Sequence, residues 1–453
     1  MDSELFGSSG IRGIVNLEVT PLLAVKVGSA LATMHKGGLF TIGRDSRLTG
    51  KMLQAALISG LTSCGAYVKT LGVMPTPTLA YLTRVLESSS GVSITASHNP
   101  VEYNGLKFFD SSGMAYTQDR QREVERIMMR GQFSLKSFNE VGHVEEAQLE
   151  QTYIDFISSS ISIRKKWSIV CDLFNGATGI ILPKILKRVG CKYKLLNWQH
   201  DGGFASGRPE PTRTSLQRLA TMVKEEQADL GFGFDGDGDR MMVVDDKGNI
   251  PSPDRVLAAY ARHVVEKAGG GSIVTHVGAS RCIDEAVSGV GGKILRTRVG
   301  DASIAESIKQ NRALFGGEPV GAWIHPEVHM CPDGVLSALK LMEAMEEKGG
   351  TLTNFLEGIP QYSILEEKIE CPNRLKARVL EWILKNRQEF IIDRSEVTLI
   401  DGMRLDLEKG WILIRPSGTE PVIRITAEAH DLREAKSLLD VGRRLIQAAG
   451  EAQ

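Results

Sequence analysis

One pattern recurs three times along this chain: an apolar run, a polar loop, an amphipathic stretch closed by glycine, and a second apolar run. Leu39-Phe40-Thr41-Ile42-Gly43 reads as a strand and Arg44-Asp45-Ser46-Arg47 as the loop after it. Leu53, Leu57 and Leu61 then recur at the four-residue spacing of one helix face. Gly65 ends that helix, and Ala66-Tyr67-Val68 starts the next strand. The order repeats from Ser168-Ile169-Val170-Cys171 through Asn175-Gly176-Ala177-Thr178-Gly179 to a helix carrying Ile181, Ile185 and Val189 that stops at Gly190. It repeats again from Ser272-Ile273-Val274 through Gly278-Ala279-Ser280 to a helix ending near Gly289. A helix placed between two apolar strands returns the chain to the edge it left, so the strands run parallel and both sheet faces are covered.

The last part of the chain breaks this pattern. Trp411–Arg415 and Val422–Ala427 read as two strands around a polar loop, followed by a helix with Leu432, Ala435, Leu438 and Leu439 on one face and Asp431 as its cap. The expected fold is α/β: three similar α/β domains with mixed, largely parallel sheets, and a smaller C-terminal α+β domain. Boundaries are expected at 1–150, 151–253, 254–365 and 366–453, with the charged, proline-containing segment Gln361–Arg374 as a hinge before the last unit.

With 453 residues and 42% hydrophobic content, the chain has material for several cores. The formal net charge of -1 offers no basic surface for nucleic acid or membrane. Cys64, Cys171, Cys191, Cys282, Cys331 and Cys371 form no C-x-x-C pair, so neither a zinc ribbon nor a disulfide framework is expected, and a reducing, cytoplasmic setting is. No signal core precedes Glu4-Leu5-Phe6-Gly7, and no run is long and apolar enough to span a bilayer.

Four short segments carry chemistry. In Thr95-Ala96-Ser97-His98-Asn99-Pro100, a buried strand (Gly91-Val92-Ser93-Ile94) opens into a tight turn stopped by proline. Ser97 is presented there with His98 beside it and Lys107 ten residues on, as a hydroxyl able to carry a phosphoryl group. In Asp235-Gly236-Asp237-Gly238-Asp239-Arg240, three carboxylates at alternate positions between two strand-like runs can converge on one hard cation. An EF-hand calcium loop requires glycine at its sixth position and glutamate at its twelfth, where Arg240 and Asp246 stand, so magnesium with a phosphate oxygen fits better. In Arg415-Pro416-Ser417-Gly418-Thr419-Glu420-Pro421, backbone N–H groups, hydroxyls and a planar guanidinium suit phosphate oxygens. In Gly317-Glu318-Pro319-Val320-Gly321, a glycine-bracketed carboxylate suits vicinal sugar hydroxyls.

In this order, with Tyr103-Asn104-Gly105-Leu106-Lys107 and the opening Phe6-Gly7-Ser8-Ser9-Gly10-Ile11-Arg12-Gly13, the segments resemble the α-D-phosphohexomutase family over almost the whole chain. The resemblance implies four domains around a central cleft. It implies an enzyme that interconverts hexose 6-phosphate and hexose 1-phosphate through a phosphoserine at Ser97 and a hexose 1,6-bisphosphate intermediate. Mg2+ would be held by Asp235, Asp237, Asp239 and the Ser97 phosphate. Lys107 would be the general acid/base, its pKa lowered by Arg12 or Arg240, with a plain phosphate-binding charge as the alternative. His98 would orient the loop. Glu318 would read the sugar, and Arg415, Ser417, Gly418 and Thr419 would hold the far phosphate. Arg44 and Arg47 stand between lining the cleft and pairing as structural ions, and Arg424 between phosphate contact and strand surface.

The family's sugar loop commonly has serine and histidine where this chain has Val320 and Ala322. That variant looks like archaeal phosphoglucosamine-mutase-like members. His325 and His329 are read as core or surface residues ahead of replacing the missing imidazole. The expected activity is phosphoglucosamine mutase, with a phosphomannomutase/phosphoglucomutase of broad specificity as the alternative. A seryl-phosphate phosphatase and a non-catalytic sugar-phosphate-binding protein are the remaining readings. The implied partners are sugar phosphates, and the choice between monomer and homodimer stays open.

Overall fold

The computed structural model describes residues 5–7, 9–389, 396–417 and 420–451. The first sheet contains β1 (Ile11–Ile14), β2 (Gly38–Arg44), β3 (Ala66–Val73), β4 (Ser90–Ile94), β5 (Tyr103–Asp110) and β6 (Val144–Glu146), in the order β1-β5-β4-β2-β3-β6. The second contains β7 (Ser168–Asp172), β8 (Lys192–Leu196), β9 (Leu230–Phe234) and β10 (Met241–Asp245), ordered β10-β9-β7-β8. The third contains β11 (Gly271–His276), β12 (Gly292–Thr297), β13 (Phe315–Gly317) and β14 (Trp323–Ile324), ordered β14-β13-β11-β12.

These three sheets share one topology. A strand, a helix and a parallel neighbour (β2 and β3, β7 and β8, β11 and β12) are followed by a second helix that carries the chain across to a third parallel strand (β4, β9, β13). A turn then leads into one antiparallel strand (β5, β10, β14). The third strands β4, β9 and β13 are buried along their whole length, as expected of strands covered on both faces. The sequence periodicity holds: Leu53, Leu57 and Leu61 lie buried on the helix Gly50–Ser63. After β7 a 3-10 turn, Ala177–Ile180, precedes the helix Leu182–Arg188, so Ile181 caps that helix rather than lying within it.

The fourth sheet is antiparallel throughout: β15 (Ser363–Glu370), β16 (Glu396–Thr398), β17 (Met403–Leu407), β18 (Gly410–Pro416) and β19 (Val422–Ala429), ordered β15-β19-β18-β17-β16. The helix Leu432–Glu451 buries Ala435, Leu439, Leu445, Ile446 and Ala449, and Asp431 caps it by accepting from Glu434 N. Leu432 is exposed, against expectation. The expected hinge Gln361–Arg374 is mostly β15, paired with β19 over its whole length. Its alternating burial is that of an edge strand with one face on the core, and that period outweighs the charge seen in the sequence.

Separate cores serve the first unit (Phe40, Leu57, Val92, Phe108) and the last (Ile383, Leu405, Ile414, Leu445). A larger one runs continuously from Leu79 and Tyr153 through Phe232 and Tyr260 to Leu341. That continuity packs the middle units against the first and fixes the loops between them. Among the described residues no helix is long and apolar enough to cross a membrane.

Candidate active site

The shared topology places three of the four motif segments at equivalent positions. Thr95–Glu102 joins β4 to β5, Asp235–Arg240 joins β9 to β10, and Glu318–Ala322 joins β13 to β14. The second loop touches its counterparts directly. A Cβ on Gly236 would lie 2.7 Å from Ser97 O, so only glycine allows this approach of the two backbones. Gly321 has φ +85°, and a Cβ there would lie 1.8 Å from Met241 O. Thr76 N donates to Asp237 O at 2.9 Å, and Gly334 N to Gly238 O at 3.0 Å.

Ser97 is fully buried and sits at φ +50°, in the left-handed region. Its Oγ donates to Asp235 Oδ2 at 2.5 Å and lies 3.2 Å from His98 Nδ1. Burial, then Arg240, Arg12 and Lys107, push the His98 imidazole down to about 2, so it is neutral. Lys107 Nζ donates to Asp237 Oδ2 at 2.7 Å and to Asp239 Oδ2 at 2.5 Å. Burial alone would lower this ammonium, but the two carboxylates outweigh it and hold it above its ordinary value. Arg12 acts in the expected lowering sense, but the two carboxylates reverse the net shift. The lysine has two direct anionic partners, which sequence spacing does not reveal.

The metal-like donor set is present. One ligand oxygen from each of Asp235, Asp237 and Asp239 lies within 4.8 Å of the others, and all three residues are buried. Asp237 Oδ1 and Asp239 Oδ1 are buried with no hydrogen-bond partner. Burial and the Asp239 and Asp237 charges raise Asp235 well above the ordinary carboxylate range. Three buried carboxylates, two with orphaned oxygens, repel one another in the way a hard cation would relieve.

Arg240 N donates to Asp235 Oδ1 at 3.1 Å, and Arg240 Nε is 3.8 Å from Asp239 Oδ1. Arg12 Nε is buried without a hydrogen-bond partner, within reach of the Asp237 and Asp239 charges. Glu318 is buried, and its Oε1 accepts from Gly300 N at 3.0 Å. Burial raises its carboxyl, while Arg240, the Gly300 N–H and Arg415 act in the opposite sense. Arg415 pairs with Asp401 at 3.2 Å. Ser417 Oγ accepts from Glu420 N at 3.1 Å. Gly418 and Thr419 lie outside the described residues. Arg424 pairs with Glu420 at 2.7 Å. His325 bridges Tyr260 and Ser337, and His329 pairs with Asp333, so both are core residues.

Several residues at the site carry no signal in the sequence. Thr76 Oγ1 donates to Asp237 Oδ2 at 2.7 Å from the start of the helix after β3. Lys376 Nζ donates to the carbonyls of Ser417 and Glu420 at 2.5 and 2.6 Å, which holds the fourth loop. Arg47 is a structural ion paired with Asp45 at 3.0 Å, but buried beneath the Ser97 loop rather than at the domain surface.

Profiles of the four phosphoglucomutase/phosphomannomutase domains match consecutive stretches: α/β/α domain I over residues 3–135, domain II over 151–248, domain III over 252–362 and the C-terminal domain over 366–443. The chain belongs to the phosphoglucomutase/phosphomannomutase family. It is a phosphohexomutase, an enzyme of the isomerase class that relocates a phosphoryl group on a sugar phosphate. A probable phosphoglucosamine mutase of Pyrococcus abyssi is 41% identical over 445 residues, covering 98% of each chain. A phosphoglucosamine mutase of Methanococcus maripaludis is 38% identical over 449 residues, again 98% of each. The crystal structure of a phosphoglucomutase/phosphomannomutase family protein from Burkholderia thailandensis superposes with a TM-score of 0.88 at 26% identity, covering 99% of this chain and 98% of that one.

Proposed function

We propose that this phosphohexomutase interconverts glucosamine 6-phosphate and glucosamine 1-phosphate, with Ser97 as the phosphoryl carrier. The observation that carries the mechanism is the Ser97 hydroxyl 2.5 Å from one carboxylate of a buried triad whose other two grip Lys107. The choice of sugar is supported by relatives named phosphoglucosamine mutase along the full chain and by the variant sugar loop with Val320 and Ala322.

In the first half-reaction the Ser97 Oγ–P bond breaks as a sugar O–P bond forms, and the proton of the sugar hydroxyl passes, in net, to the serine oxygen; in the second the other sugar O–P bond breaks as the Ser97 Oγ–P bond re-forms, and the serine proton passes, in net, to the sugar oxygen. Between the two the bisphosphate turns over, so that it returns its other phosphoryl group. Lys107, held protonated between Asp237 and Asp239, meets the transferring phosphate as a positive charge and can give a proton to the sugar oxygen, and neutral His98 holds the Ser97 oxygen in line. Glu318 accepts from sugar hydroxyls between the two phosphate sites, and Arg415 with the Ser417–Thr419 loop holds the phosphate that does not react. Asp235, Asp237 and Asp239 would hold Mg2+, which when bound neutralises charge on the transferring group.

Glucosamine, glucose, mannose and N-acetylglucosamine 6-phosphates, each with a trace of its 1,6-bisphosphate, test the substrate. The highest kcat/KM is expected for glucosamine 6-phosphate, and a clear preference for another sugar overturns that choice. Ser97→Ala is expected to lose turnover and the phosphoryl adduct seen by intact mass on the parent protein. Full activity of that variant would sink the carrier role. Steady release of inorganic phosphate in place of isomer would favour a phosphatase.

A further inference from the structure

Arg47 spends all five of its guanidinium N–H groups on the Ser97 loop and its neighbour. Nε donates to Asp45 Oδ2 at 3.0 Å, Nη1 to Pro100 O at 2.7 Å and Tyr103 O at 2.9 Å, and Nη2 to Ser97 O at 2.8 Å and Asn99 O at 2.7 Å. The carbonyl in the middle of this run, His98 O, is taken by another guanidinium: Arg208 Nε donates to it at 3.1 Å. Arg208 comes from the second unit. The same stretch of that unit lays the buried Phe204 ring against Arg47, 5.0 Å from guanidinium carbon to ring centroid. It also passes so close to the 46–48 turn that a Cβ on Gly202 would lie 2.5 Å from Ser46 O.

We propose that Arg47 is a positioning residue for phosphoryl transfer, and that the 201–208 loop completes its clamp through Phe204 and Arg208. The proposal rests on the reading of Ser97 as phosphoryl carrier. Two physical arguments support it. First, Ser97 is held at φ +50°, which costs a non-glycine residue of the order of 1–2 kcal/mol. The hydrogen bonds to its own carbonyl and those around it offset that cost, and the Thr95 Oγ1 bond from Ser97 N at 2.8 Å pins the other side. Second, a phosphoryl group on Ser97 brings close to two negative charges to a buried loop. The oxygen ends of the peptides at Ser97, His98, Asn99, Pro100 and Tyr103 are already capped by the N–H groups of two guanidiniums, which also pair with Asp45 and Glu210, so these oxygens do not face it unpaired. Only a planar fork with five donors meets the Arg47 geometry, and the three donors of a lysine cannot.

The test uses the full chain with glucosamine 6-phosphate and its bisphosphate, and reads kcat, KM, melting temperature and the lifetime of phosphoserine by intact mass. Arg47→Lys is expected to lower kcat about 100-fold, the scale of an ångström-level misplacement of a reacting group, with KM changed by less than about threefold. In Arg47→Ala, millimolar guanidinium should restore part of kcat, which it would not do for a residue that only stabilises the fold. Arg208→Ala, on an exposed side chain, should keep its melting temperature and lose about tenfold in kcat, the worth of one charge-assisted hydrogen bond. If the Arg47 variants do not fold, Arg208→Ala decides alone. Unchanged kcat and phosphoserine lifetime in the folded variants overturns the clamp. Absence of phosphoserine from the active parent protein would overturn the carrier reading instead.

Discussion

Asp237 binds two neighbours with one oxygen and none with the other. Oδ2 accepts from Lys107 Nζ and Thr76 Oγ1, each at 2.7 Å, while Oδ1 is buried and unpaired. An asparagine keeps the volume but removes the charge that Lys107 and a bound cation both require. Asp237→Asn is expected to slow turnover by about 100-fold or more, the rate equivalent of roughly 3 kcal/mol, and to weaken Mg2+ binding measured by calorimetry. Unaltered turnover of the EDTA-treated parent protein, with no heat of divalent-ion binding, would remove the metal from the mechanism.

The turn between β9 and β10 depends on glycine where it meets the Ser97 loop. Gly236→Ala forces a methyl to 2.7 Å from Ser97 O, and the contact is with backbone, which cannot rotate away. It is expected to cost about 1–3 kcal/mol in denaturant unfolding and to lower kcat further than an equally destabilising substitution elsewhere. A variant with parental kcat would show that the two turns are not rigidly coupled.

The helix Pro253–Ala268 carries a different constraint in its first turn. Asp254 accepts from Ser280 N at 2.9 Å, at the cap of the helix Arg281–Ser288, and burial pushes its carboxyl up to about 6. The folded protein therefore keeps a proton that the unfolded chain loses near pH 4. Stability attributable to this group falls as pH rises from about 4 to about 6 and stays lower above that, by at most about 3 kcal/mol. Asp254→Asn keeps the acceptor oxygen without the charge. It should melt higher than the parent at pH 8, with the gap closing towards pH 4. A gap independent of pH would contradict the raised carboxyl.

Across the whole molecule, substrate must be gripped by units far apart in the chain. The C-terminal unit is fastened to the third by buried groups: Arg404 Nη1 donates to Val277 O at 2.6 Å, and Glu428 Oε1 accepts from Arg281 N at 2.9 Å and Trp411 Nε1 at 2.7 Å. Breaking these contacts would strand a buried guanidinium and a buried carboxylate, so closure of the last unit is limited to a movement that keeps them. Saturating hexose 1,6-bisphosphate is expected to reduce the radius of gyration in solution scattering. Arg415→Ala should raise KM about tenfold or more through loss of a planar phosphate fork. An unchanged radius together with an unchanged KM would leave the closing clamp without support.

The candidate site was legible in the chain because each of its segments is short and local. Ser97 on its turn, three aspartates at alternate positions and a glycine-bracketed Glu318 declare themselves by residue type and spacing. The βαβ order was legible for the same reason, since 3.6-residue and two-residue periods are properties of neighbouring residues. The packing partners were not. Thr76 and Asp237 are 161 residues apart, and Lys107 and Asp239 are 132 apart. Arg47 reaches the Ser97 loop only because β2 and β4 are neighbours in the first sheet. Lys376 reaches the fourth loop from the first turn of the helix Lys376–Asn386. The equivalence of three loops, each between a third parallel strand and its antiparallel neighbour, also exists only in the folded sheets. Hydrogen bonding and burial act on whichever groups the topology brings together, so the ionisation of Lys107, the clamp under Ser97 and the interface around Arg404 were decided by tertiary contacts that no local pattern encodes.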